Sequence, residues 1–221
     1  INGVIHSAGV IRDSMFSSKT KEDFDSVLLP KIAGTKNLDK ALGDEHLDFF
    51  VMFSSLSSVI GNIGQTDYCY ANSFMDEFAA IRNQLRKKDL RSGKTYSINW
   101  SFWENGGMKI DTGTQKWMDK KLGLLLMDED RGISILERVL KTNSSQVVVM
   151  NGRAKKIRGV FQGKDEEFNN TITLEEATTR LETSKEFNTE NLLLQEELPS
   201  KYKEMDENSL LQTLGSILKE I

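Results

Sequence analysis

Apolar positions along the chain switch between two periods. Gly3 to His6, Leu47 to Phe53, Thr95 to Trp100 and Gln146 to Met150 are short runs rich in β-branched or aromatic residues, the pattern of strands buried on both faces of a parallel sheet. Helix-length segments lie between them. The first, about residues 19 to 28, has Ser18 or Thr20 as a cap and Phe24, Val27 and Leu28 on one side. A second, about 31 to 42, buries Ile32, Leu38 and Leu42, and a third, about 67 to 86, carries Phe74, Phe78, Ile81 and Leu85 at three- and four-residue spacing. Residues 101 to 127 hold four glycines and two tryptophans and read as a long irregular segment of the kind that forms lids; a helix over about 128 to 141 follows. The alternation predicts an α/β fold, a Rossmann-like doubly wound parallel sheet.

Charge divides the chain. From Asp165 to Ile221 there are fourteen acidic and five basic residues, a net of -9 against -4 for the whole, so the preceding part is mildly basic. The domains expected are therefore a catalytic part over 1–162, an acidic linker over 163–207, and a short helix over 208–221 with Leu210, Leu211, Leu214, Ile217, Leu218 and Ile221 at helical spacing. The basic part lacks the basic and aromatic interleaving of single-strand binders, which argues against nucleic acid as a partner. No apolar run approaches the roughly 20 residues of a membrane helix, no secretory signal is visible, and the single cysteine fits a reducing cytoplasm. Two distant histidines and Cys69 form no metal-ligand cluster, so no metal is expected, and Cys69 reads as structural.

The candidate chemistry starts where the second strand ends. Ser55 follows that apolar run; Tyr68 comes thirteen residues later and Asn72 four beyond it, one turn apart on the third helix. In open α/β sheets ligands bind beyond the carboxyl ends of strands, and a hydroxyl, a phenol and an amide gathered there suit acid-base work on a carbonyl. Tyr70 and Ser54 flank this set without an assigned role.

A strand-end serine followed by Tyr-x-x-x-Asn resembles the short-chain dehydrogenase/reductase superfamily, and within it the ketoreductase domains of modular polyketide synthases and related fatty-acid synthases. In those domains the lysine sits earlier, in a helix reading like Pro-Lys-(Val/Ile)-x-Gly; here Pro30-Lys31-Ile32-Ala33-Gly34 places Lys31 twenty-four residues before Ser55. Gly3 to Val10 resembles the family's strand and His-x-Ala-Gly turn, and Trp100 to Met108 its loop over the nicotinamide.

The resemblance implies hydride transfer from NADPH to a 3-oxoacyl thioester on an acyl carrier protein. Tyr68 is the expected acid, its pKa of about 10 drawn down by the ammonium of Lys31. Lys31 also bonds the cofactor ribose, Ser55 holds the substrate oxygen, and Asn72 fixes Lys31 or a relay water. Ala8, Gly9, Gly107 and Met108 are expected at the cofactor, with Gly106 beside them. Asp13, the aspartate of Ile11-Arg12-Asp13, and Ile60, eight residues before Tyr68 where the alternative product is accompanied by tryptophan, imply the D-configured hydroxyl. Implied partners are a carrier bearing a phosphopantetheine-linked substrate and neighbouring synthase domains in a dimeric multienzyme that makes secondary metabolites.

No glycine-rich phosphate turn occurs in the right context, so this reads as the carboxy-terminal part of a larger reductase, and taken alone it is expected to bind cofactor poorly or not at all. The carrier's Gly-x-Asp-Ser-Leu attachment motif is absent, and the last helix reads as the start of a carrier domain or as a docking helix. The rival readings are a catalytically silent reductase-like scaffold and a stand-alone reductase or epimerase, the latter disfavoured by asparagine at position 72.

Overall fold

The computed structural model describes residues 1–162 apart from 44 and 109; the expected linker and final helix lie outside the described residues. Four parallel strands, β1 (Gly3–His6), β2 (Phe49–Ser55), β3 (Lys94–Trp100) and β4 (Gln146–Val148), pair in chain order. Between them run α1 (Lys21–Ala41), α2 (Ser57–Ile60), α3 (Thr66–Lys87), α4 (Thr112–Leu122) and α5 (Glu129–Val139), and α6 (Ala154–Phe161) closes the described part.

Alternation along β2 accounts for the layers. Phe50 and Met52 point to one face, where Leu42, Leu47, Met75 and Ala79 bring in α1 and α3. Val51, between them, points to the other face with Tyr96, Ile98 and Trp100 of β3, and α5 covers this side through Val139, Ile135 and Leu136. The two central strands are thus covered on both faces, whereas Ile5 of β1 and Val148 of β4 are exposed. A third cluster, Leu56 with Met118, Leu122, Leu124, Ile157 and Val160, joins α4 and α6 beyond the carboxyl end of β2.

Four expectations needed correction. The two helices expected over 19–28 and 31–42 are one, with Pro30 inside it. Thr20 starts it through a capping box with Asp23, as its residue type suggested. Proline removes one backbone donor, yet burial continues across it, from Val27 and Leu28 to Lys31, Thr35 and Asp39, so packing outweighs the lost hydrogen bond. The face expected to carry Ile32 and Leu38 is centred on that polar row, one turn apart. On α3 the buried row is Met75, Ala79, Arg82 and Asn83, while Ile81 is exposed. Finally, the irregular segment over 101–127 contains α4, capped by Asp111 accepting from the Thr114 amide and ended by Gly123 at φ 73°. The clustered glycines hid that Asp-x-x-Thr start and the helical spacing of Met118 and Leu122.

Side chains on β3 that face α3 are polar and wholly buried: Thr95, Ser97 and Asn99. Arg82 donates to Thr95 Oγ1 at 3.0 Å and to Asp39 at 2.7 Å, and Asn83 exchanges hydrogen bonds with the Thr95 backbone. An interface of this kind specifies register, because one misplaced strand residue leaves several buried donors unpaired.

Trp103 fixes the segment after β3. It stacks on Phe53 and meets Trp100 edge-on at 5.0 Å, and its ring lies against the backbone of Gly132 in α5. A Cβ at position 132 would stand 2.2 Å from the indole, so Gly132→Ala is expected to displace Trp103 and cost about 1–3 kcal/mol. Urea unfolding with tryptophan fluorescence reads this; an unchanged midpoint would show that the indole moves freely.

Candidate active site

At the carboxyl edge of the sheet, β2 ends on Ser54 and Ser55, and the chain turns through Leu56 into the short α2. Gly61, at φ 74°, ends α2 in a conformation that favours glycine, and the chain re-enters the site through Gln65, the residue before α3. Tyr68 and Asn72 occupy the first turns of α3 and are buried, Asn72 completely. Lys31 reaches the same place from the middle of α1. A cavity of about 740 Å³ opens between this edge, the segment after β3, and α4 with α6.

Lys31 is 2% exposed. Its ammonium donates to the Phe53 carbonyl at 2.9 Å and stands over the Tyr68 ring, 5.4 Å from its centre. Burial pulls its pKa from 10.5 down to about 8, with Asp76 opposing that fall. Gly9 explains how the side chain passes: a Cβ there would come within 2.9 Å of Lys31 Cε. The expected role of Lys31 in drawing the phenol's pKa down does not appear. Burial pushes Tyr68 up, Asn72 and Ser55 being near enough to oppose part of the rise. The reason is positional: the ammonium lies over the ring and is committed to a carbonyl. A phenol held this way keeps its proton.

The amide of Asn72 donates to the Tyr68 carbonyl at 2.7 Å, leaving its Oδ1 buried without a hydrogen-bond partner. Ser55 Oγ accepts from the Ser57 amide and hydroxyl, at 3.2 and 2.9 Å. Tyr68 donates to Met108 Sδ at 3.5 Å, which draws the loop after β3 onto the phenol. Gly9, Lys31, Ser55, Ile60, Tyr68, Gly107 and Met108 all border the cavity. Ala8 does not; it is exposed, one residue short of the turn that faces Lys31. Asp13 lies just outside, held by Gln65, whose Nε2 donates to both of its carboxylate oxygens at 3.1 and 2.9 Å. The loop that bears Asp13 is tied to α3 by the buried Lys19–Asp67 pair at 2.9 Å. Cys69 is half-buried, and burial pushes its thiol pKa up, the opposite of what a nucleophile needs.

Residues 1–105 match the family model described as KR domain. They belong to the KR domain family. Over 158 residues, 72% of this chain, the sequence is 44% identical to polyketide synthase PksN of Bacillus subtilis (strain 168), of which the match covers 3%. Over 224 residues, 99% of this chain, it is 36% identical to polyketide synthase PksL of the same organism, covering 5% of that protein. Among solved structures, a ketoreductase domain from the bacillaene assembly line is 42% identical with a TM-score of 0.70, over 72% of this chain and 38% of that one. An N-terminal ketoreductase from the macrolactin assembly line is 40% identical with a TM-score of 0.63, over 72% of this chain and 30% of that one. The chain therefore spans a few per cent of the curated relatives and about a third of the solved domains.

Three polar residues of this KR domain escaped the sequence reading. Gln65 has no flag beyond its place three residues before Tyr68. Asp76 extends the Tyr68–Asn72 spacing by another four residues, a signal that was legible. Asn99 lies inside a strand read only as apolar.

Lys31 carries a cost that can be measured. Below about pH 8 the ammonium is charged in both folded and unfolded chains and the full penalty applies; from there to 10.5 the folded protein loses its proton first and the penalty fades. Lys31→Met is expected to stabilise the fold at pH 7 by up to about 3 kcal/mol, the gain shrinking as pH rises through that window. Denaturant titrations at pH 7 and 10 read it; equal gains at both would show that Lys31 is not strained by burial.

Proposed function

We propose that this KR domain forms the catalytic side of an NADPH-dependent reductase that converts a 3-oxoacyl thioester, carried on the phosphopantetheine arm of an acyl carrier protein, into the D-3-hydroxyacyl thioester during polyketide assembly. The observation that carries this reading is the convergence of Lys31, Ser55 and Tyr68, with Asn72 behind them, at one edge of one cavity.

The residues present fit a nicotinamide ribose. Gly9 leaves the approach to Lys31 open, and the unpartnered Asn72 Oδ1 offers an acceptor for a relay water. When bound, NADPH supplies the hydride that forms the new C–H bond at carbon 3. Charge then gathers on the carbonyl oxygen, which Ser55 Oγ holds by a hydrogen bond. Tyr68 Oη breaks its O–H bond to give that oxygen a proton, leaving an alcohol, and the resulting phenolate lies beside the Lys31 ammonium. Protonated phenol and charged lysine coexist below about pH 8, so the rate is expected to fall as pH rises through that value. Asp13, by its likeness to the family's aspartate marker, and Ile60, standing where tryptophan accompanies the other product, support the D configuration, and the neighbours of such a domain would be the other domains of a dimeric synthase. The intact set of four residues argues against a silent scaffold.

The test uses the full-length protein and a 3-oxoacyl thioester of N-acetylcysteamine. NADPH oxidation with formation of the D-alcohol, reduced about a hundredfold or more by Tyr68→Phe, is the expected result. Undiminished reduction by that variant would remove Tyr68 from the reaction, and a folded protein with no turnover would favour the scaffold.

A further inference from the structure

Asp76 does not border that cavity, yet donors from two other elements, α2 and β3, converge on it. Its Oδ1 accepts from Ser97 Oγ of β3 at 2.6 Å; its Oδ2 accepts from Ser58 Oγ of α2 at 2.7 Å and from Asn99 Nδ2 of β3 at 2.8 Å. Two of the three donors lead onward. Ser58 Oγ also lies 2.9 Å from the Ser55 carbonyl, and Asn99 Nδ2 reaches both Ser54 Oγ at 3.1 Å and the Ser55 carbonyl at 3.3 Å. Ser54 Oγ in turn donates to the Asn72 carbonyl at 3.3 Å, and Asn99 Oδ1 is taken up by Gln146 of β4 at 3.0 Å. The half-buried carboxylate, which only accepts, is the group in which these donors meet, beside the fully buried Ser97 and Asn99.

We propose that Asp76 is a positioning residue for the reduction: by gathering Ser58, Ser97 and Asn99 it fixes the turn that presents Ser55 and the segment of α3 that presents Asn72. The inference rests on the reductase reading given above. It has an electrostatic side as well. The groups facing Lys31 are His6 from β1, Tyr68 from the start of α3, and Asp76 two turns further along α3. Asp76 is the carboxylate that favours the charged amine against burial, while Lys31 disfavours charge on His6. One side chain thus sets both where the serine stands and how long the lysine stays charged.

Two variants of the full-length protein separate these roles. Asp76→Asn keeps the shape and removes the charge; Ser97→Ala removes one donor and leaves the charge. Asp76→Asn is expected to lower kcat about tenfold or more with KM within about threefold, and to move the alkaline limb of the kcat/KM profile to lower pH by about half a unit or more. Ser97→Ala is expected to lower kcat less and leave that limb in place. Wild-type kcat and an unmoved limb in Asp76→Asn, with Tyr68→Phe inactive in the same assay, would overturn the role of Asp76 and leave the reductase standing. An unmoved limb with a lowered kcat would overturn the electrostatic part. Absence of reduction by the wild-type protein would overturn both readings together.

Discussion

The hydrogen bond from the Lys31 ammonium to the Phe53 carbonyl is the constraint on which the site is built. It takes a cation out of water and fastens it to the Phe53 carbonyl, two residues before the end of β2, near where the sheet gives way to the serine turn. A hydrogen bond to a charged group returns about 1.5–3 kcal/mol, less than full desolvation of an ammonium costs, and the depressed pKa of Lys31 records that shortfall. The fold carries this strain because α1 is one rigid helix through Pro30, anchored by Val27 and Leu28 on one side of the lysine and by Asp39 with Arg82 and Arg91 on the other. Split into two helices at the proline, α1 would have no means of holding the amine over the Tyr68 ring.

Polar pairing between α3 and β3 supplies the complementary half. Facing residues of the two elements, Arg82 and Asn83 with Thr95, then Asp76 with Ser97 and Asn99, form a ladder from the floor of the sheet to its active edge. Such a hydrogen-bonded interface fixes α3 along its length, and Tyr68 and Asn72 inherit that placement at its start. The apolar clusters on the two faces hold the layers together; the polar ladder decides where along the sheet α3 sits.

Strands and chemistry were legible to different degrees. β1 matched its expected bounds, and β2 and β3 differed by one or two residues, because their β-branched and aromatic residues mark them even where β3 is polar on one face. Tyr68, Asn72, Ser55 and Lys31 were found through ordered spacing and family likeness, and the structure brings all four to one place. The continuity of α1 was not legible, since proline is ordinarily a helix boundary and the row that buries after it, Lys31, Thr35 and Asp39, is polar. The same bias hid Asp76 and Asn99: a reading keyed to apolar periodicity treats polar residues as exposed, whereas around this site they are the interior. Helix α4 was lost among glycines, and the direction of the Tyr68 shift was missed because charge proximity was weighed without burial.

The claim at the centre of this account is that the fold holds a buried, easily deprotonated ammonium beside the tyrosine. Its most direct test is an NMR titration of the Lys31 side chain, using carbon-13 labelled lysine with Lys31→Met to assign the signal. A midpoint near 8 is the result the structure requires. A midpoint near 10.5, the ordinary value for a solvated lysine, would contradict it and show that burial does not strain the ammonium.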